Sequence, residues 1–129
     1  MLLCKMAKIL VVDDSEISRD VIRSLLTEEG HEILTARDGE EGLETALREN
    51  PNLIITDHNM PRMSGLDLCR RLSEQRKDIK LIWTSAMSEY EAREYDLAYK
   101  ATGASAFLSK PYMDFDEIHR KIKKVLGGN

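Results

Sequence analysis

Three aspartates, a lysine and two hydroxyl residues stand directly after short apolar runs, at Asp13, Asp14, Asp57, Thr84, Ser85 and Lys110. If those runs are strands of one parallel sheet, all six side chains reach the same edge. Carboxylates brought together repel, so either their pKa values rise or a cation sits among them. A hard divalent ion with oxygen ligands suits such a set. Mg²⁺ suits it best, because it keeps several waters and needs few protein carboxylates. Asp13 and Asp14 read equally well as caps for the helix that follows, and one residue can do both. Lys110 at the same edge would neutralise an added phosphoryl oxygen, although a lysine before a turn is also an ordinary surface residue. Pro111 follows it, and a cis X-Pro bond at a tight strand exit would fix where Lys110 points. A hydroxyl from Thr84 or Ser85 could donate to a phosphoryl oxygen, but hydroxyl residues are common at strand ends.

The elements that must position these residues are legible as alternating patterns. Apolar runs occur at Ile9–Val12, Ile33–Ala36, Leu53–Thr56, Leu81–Thr84 and Ala106–Leu108. Each is continuous, as expected for parallel strands buried on both faces. Segments of helical period lie between them. In the first, Ile17, Val21, Ile22, Leu25 and Leu26 share one face, with Glu16, Arg19, Asp20 and Arg23 off it. Ser15 is a good N-cap there and Gly30 a good stop. The last helix is expected to begin near Asp114–Glu117 and to end in Lys121, Lys123 and Lys124, a charge order that complements the helix dipole. Five strands alternating with five helices predict an α/β fold, a flavodoxin-like doubly wound five-stranded parallel sheet in the order 2-1-3-4-5. Ligands of such sheets bind beyond the carboxyl ends of the strands, where the order reverses. That is where the six residues above should meet.

Composition narrows the function. A chain of 129 residues fits one domain, expected over 8–126 with loose tails at 1–7 and 127–129 and with Met6 as an alternative start. The net charge of −4 argues against a general nucleic-acid binder. Cys4 and Cys69 form no CxxC or His/Cys cluster, so they read as free thiols of a reducing compartment. Ile9–Val12 is too short for a membrane span, and Asp13 and Asp14 directly after it exclude a signal-peptide core. The cytoplasm is the expected location.

The ordered motifs resemble those of response regulator receiver domains of the CheY-like type. They are Asp13-Asp14 after a Val-rich strand, the stretch Thr56-Asp57-His58-Asn59-Met60-Pro61-Arg62-Met63-Ser64-Gly65, then Ser85-Ala86 and Lys110-Pro111. The similarity runs from about Lys8 to about Leu126. It implies Asp57 as phosphoacceptor, Asp14 as direct Mg²⁺ ligand, Asp13 as holder of metal-bound water, and the Asn59 carbonyl as a further ligand, with Mn²⁺ able to substitute. It also implies Ser85 as the switch hydroxyl, in preference to Thr84, Lys110 as the phosphoryl-binding lysine and Phe107 as the switch aromatic. Two departures stand out. The stretch from Ser85 to Lys110 is a few residues longer than usual, and the switch aromatic is Phe, which has no hydroxyl to donate.

The resemblance further implies a two-component phosphorelay switch rather than an enzyme acting on other molecules. It would catalyse its own aspartyl phosphorylation and dephosphorylation, with the phosphoryl group coming from a histidine kinase or phosphotransfer protein. A downstream protein target would read the fourth helix, fifth strand and fifth helix, and the chain would be a monomer or a phosphorylation-dependent dimer, with no membrane insertion. A phosphorelay shuttle and a pseudo-receiver binding module are the alternatives; the latter usually lacks an acid or the lysine, and none is lost here. A phosphohydrolase would need a second acid just after Asp57, where His58 and Asn59 stand. A flavodoxin-like cofactor module would need a glycine-rich phosphate loop, and none is present. Trp83 and Phe115 are expected in the core. Tyr90, Tyr95 and Tyr99 are divided between core and partner surface, and His58 is expected at the solvent edge.

Overall fold

The continuous apolar runs become strands, the three central ones buried from two sides and the two edge strands only in part. The computed structural model describes residues 6–75 and 79–127. The elements alternate without exception: β1 (Lys8–Val12), α1 (Glu16–Glu28), β2 (Glu32–Ala36), α2 (Gly39–Glu49), β3 (Leu53–Asp57), α3 (Gly65–Gln75), β4 (Lys80–Ser85), α4 (Glu89–Ala101), β5 (Ala106–Ser109) and α5 (Phe115–Val125). All strand pairs are parallel and the sheet order is β2-β1-β3-β4-β5, as expected. Among the described residues no helix is long and apolar enough to cross a membrane.

Successive strand residues point to opposite faces, which divides the core in two. On one face Leu10, Ile54 and Trp83 pack against α2, α3 and α4 through Ala46, Leu68, Leu72, Ala92 and Tyr99. On the other, Ile9, Ile55, Ile82 and Leu108 pack against α1 and α5 through Ile22, Leu26, Ile118 and Ile122. Each leucine or isoleucine among these, fully withdrawn from water, contributes about 1.5–3 kcal/mol before the cost of ordering it.

Helix starts follow the capping residues. Ser15 Oγ accepts from the Ser18 N–H at 3.3 Å, and Asp114 Oδ1 accepts from the Glu117 N–H at 3.0 Å. In α4, Ser88 and Glu91 form a reciprocal capping box. Two first-turn residues depart from expectation. Ile17, read as part of the buried face of α1, is 78 % exposed, and Phe115, expected in the core, is 47 % exposed. Both helices begin at the carboxyl edge of the sheet, where their first turns have no strand beneath them.

The expected N-terminal tail ends sooner than residue 7. Ala7 is buried, its N–H donates to His31 Nδ1 at 3.1 Å, and its carbonyl accepts from the Glu32 N–H at 2.9 Å. The expectations for residues 1–5, including Cys4, and for residues 128–129 lie outside the described residues.

Candidate functional site

Strands β1 and β3 are neighbours, so the residues that end them meet. One carboxylate oxygen from each of Asp13, Asp14 and Asp57 lies within 4.8 Å of the others. Asp13 and Asp57 are buried, whereas Asp14 faces solvent. Lys110, just past β5, places Nζ 2.7 Å from Asp13 Oδ2 and 3.5 Å from Asp57 Oδ2. Its own N–H donates to the Ser85 carbonyl at 2.9 Å, and the Lys110–Pro111 bond is cis. Asp13 also serves locally: its Oδ1 accepts from the Ser15 N–H at 2.9 Å, and Arg19 donates to its carbonyl at 2.7 Å. These bonds brace the turn into α1, whose N-cap is Ser15 and not Asp13 or Asp14.

Burial raises the Asp57 carboxyl from 3.8 to about 6. Lys110 opposes that rise; Asp13 and Asp14 add to it, and the His58 N–H opposes it weakly. One ammonium thus does not offset the desolvation and the two neighbouring acids. A set of hard oxygen donors left short of positive charge fits a hard divalent cation, and the donor chemistry matches Mg²⁺. Asn59, whose carbonyl would complete the set, is exposed just beyond Asp57.

The remaining predicted residues border this edge. In the sheet register Asp57 lies beside Thr84, and Ser85 beside Ser109. Strand alternation puts Thr84 on the face of α1 and α5 with Ile82, and Ser85 on the face of Trp83 and Phe107. Ser85 is buried, and its Oγ accepts from the Met87 N–H at 3.2 Å. Phe107 is half-buried with its ring 4.4 Å from that of Trp83.

The loop from β3 to α3 carries the largest correction. His58, expected at the solvent edge, is buried, and its Nδ1 lies 2.7 Å from the Tyr99 hydroxyl. Burial lowers the His58 pKa, against a smaller opposing effect of Asp67, and burial raises that of the Tyr99 phenol. Tyr99 is itself fully buried, so it belongs to the core and not to a partner surface; Tyr90 and Tyr95 remain exposed, and Trp83 is in the core as expected. No sequence signal at His58 could have found this, because its partner is 41 residues away on α4. In the same loop Arg62 adopts φ 68° and reaches the start of α2, with Nη2 3.3 Å from Asp38 and Nε 3.6 Å from Glu40.

Known proteins share this fold and sequence pattern. A family model described as the response regulator receiver domain matches residues 9–123. Sporulation initiation phosphotransferase F from Bacillus subtilis is 30 % identical over 119 residues, 92 % of this chain and 93 % of that protein. The alkaline phosphatase synthesis transcriptional regulatory protein PhoP of the same organism is 32 % identical over 120 residues, 92 % of this chain and 48 % of that protein. The chain thus spans about half the length of several curated relatives it matches. Among solved structures, a chemotaxis response regulator of Vibrio cholerae superposes with a TM-score of 0.84 at 31 % identity, covering 94 % of this chain and 99 % of that one. Response regulator TrrA from Thermotoga maritima, solved in complex with Mg(2+)-BeF, gives 0.80 at 39 % identity, covering 92 % and 97 %.

Proposed function

The chain belongs to the response regulator receiver family, and from that premise we propose that it is a phosphorelay switch whose phosphoacceptor is Asp57. The observation that carries this reading is the convergence of three carboxylates and Lys110 at the carboxyl edge of the sheet. A histidine kinase or phosphotransfer protein presents a phosphohistidine at that edge. An oxygen of the ionised Asp57 carboxylate attacks phosphorus, the P–N bond breaks, and the imidazole leaves with its electron pair and takes a proton. The product is an acyl phosphate on Asp57. Lys110, already 3.5 Å from Asp57 Oδ2, pairs with a phosphoryl oxygen. Asp13, Asp14, Asp57 and the Asn59 carbonyl are the groups that would hold Mg²⁺, or Mn²⁺ in its place. Such an ion supplies charge neutralisation on the transferring oxygens. The same edge would let the protein catalyse its own phosphorylation and, with water as acceptor, its dephosphorylation.

After transfer, Ser85 hydrogen-bonds the phosphoryl group and Phe107 takes the space beside it; that the two share a strand face supports this pairing and the choice of Ser85 over Thr84. A downstream protein would read α4, β5 and α5, where Tyr90 and Leu97 are exposed. A phosphoryl shuttle is a second reading, favoured by the end-to-end match to a protein named as a sporulation phosphotransferase. The buried free thiol of Cys69 fits action in the reducing cytoplasm.

Incubation with Mg²⁺ and acetyl phosphate, followed by intact mass, tests the proposal. One phosphoryl adduct is expected, absent from Asp57→Asn and after chelation with EDTA. An adduct that persists on Asp57→Asn would move the acceptor elsewhere, and no adduct on the unaltered protein would favour a binding module that is never phosphorylated.

A further inference from the structure

A cluster of rings beside the acidic edge has no part in the chemistry above. Trp83 stacks on Tyr99 with centroids 4.3 Å apart and planes 7° from parallel. His58 lies 4.5 Å from the ring of Tyr95, and its Nδ1 is 2.7 Å from the Tyr99 hydroxyl. Trp83 Nε1 donates to Asp96 Oδ1 at 3.0 Å. Tyr95, Asp96 and Tyr99 all belong to α4, so one turn of that helix is fastened to β3 and β4 by these groups. The fastening reaches the residue next to Asp57. The His58 N–H donates to the Thr84 carbonyl at 2.9 Å, and its carbonyl accepts from the Gly65 N–H at 3.0 Å. A Cβ on Gly65 would sit 2.7 Å from the Tyr99 hydroxyl oxygen, so the phenol has no slack on that side.

We propose that Tyr99 and His58 are a positioning pair that ties α4 to the peptide following Asp57, so that a change of charge and ligation at Asp57 reseats α4. The proposal rests on the phosphoacceptor reading. It differs from the Ser85–Phe107 pair in route, because it leaves the site through the loop after β3 rather than along β4 and β5. A group added to Asp57 draws on the backbone of residues 57–59. The imidazole cannot follow without either carrying the phenol or breaking a buried hydrogen bond. Packed interiors respond to such small shifts by changing arrangement and not by stretching.

Hydrogen exchange of the α4 amides, read by mass spectrometry on the full chain with and without Mg²⁺ and acetyl phosphate, tests this beside the intact mass. Tyr99→Phe keeps the ring stack and removes only the hydroxyl. It should still form the adduct, yet its α4 amides should exchange roughly tenfold faster before phosphorylation, the factor one lost buried hydrogen bond makes in a local opening equilibrium. Its α4 should also show less than half the response to the adduct. His58→Asn, which keeps a hydrogen-bonding group near the Nδ1 position, should retain the α4 response, whereas His58→Leu should lose it. Adduct on Tyr99→Phe with α4 exchange matching the unaltered protein in both states would overturn the coupling alone. Absence of adduct on the unaltered protein would overturn the phosphoacceptor reading, and the coupling with it.

Discussion

The Asp57 carboxyl is kept at a cost that pH exposes. Its pKa in the fold, about 6, lies above the ordinary 3.8. Between those values the native protein holds a proton that the unfolded chain has released, so stability falls as pH rises through the window. Above it, with no cation bound, the ionised carboxylate is a net penalty. Asp57→Asn should therefore raise the unfolding free energy near pH 7 in cation-free buffer by on the order of 2 kcal/mol, a gain that shrinks as pH falls through the window and is lost below about pH 3. Urea denaturation at several pH values measures it; equal stability of the two proteins near pH 7 would contradict the burial penalty. Asp57 was legible in the sequence because it closes an apolar run, as do Asp13, Asp14 and Lys110. His58 was not. Its burial depends on a tyrosine far along the chain, and nothing in its neighbours' types encodes that meeting.

At the scale of elements, the start of α3 is a tight joint. A side chain on Gly65 would collide with the Asp57 carbonyl and crowd the Tyr99 hydroxyl. The carbonyl belongs to a strand fixed on both sides and cannot yield. Gly65→Ala should cost about 3 kcal/mol, the upper part of the range for overpacking, seen as a lower urea midpoint with an unchanged slope. A cost within experimental error would mean that the loop gives way. The strands were readable because burial on both faces produces continuous apolar runs. The register of α4 was harder to read, because it is held by Tyr95, Asp96 and Tyr99 and not by an apolar stripe, so residue type left Tyr99 divided between core and surface. Ile17 and Phe115 misled for a related reason: apolar type marks a face of the helix but not whether that turn has a sheet to lie on.

In the whole molecule the sheet separates two cores that share no side chain. Ile22→Val on the α1 and α5 side and Ile54→Val on the opposite side should each cost about 1 kcal/mol. Combined, they should add to within roughly 0.5 kcal/mol. A coupling of twice that size would show that the sheet passes packing strain between its faces. Strand order could be inferred beforehand because parallel pairing, short connections and crossover handedness leave few topologies for five alternating units. Two side-chain attachments of loop 58–64 were beyond that reasoning, since both join elements distant in sequence. They also obey different physics. Towards α2 the loop is moored by Arg62, 68 % exposed, against Asp38 and Glu40, charges that dissolved salt screens over about 8 Å at physiological ionic strength. Towards α4 it is moored by a buried imidazole and phenol that salt does not reach. Rising ionic strength therefore slackens the Arg62 mooring and spares the buried one, so that salt loosens the loop on its α2 side and leaves its hold on α4 and β4 intact.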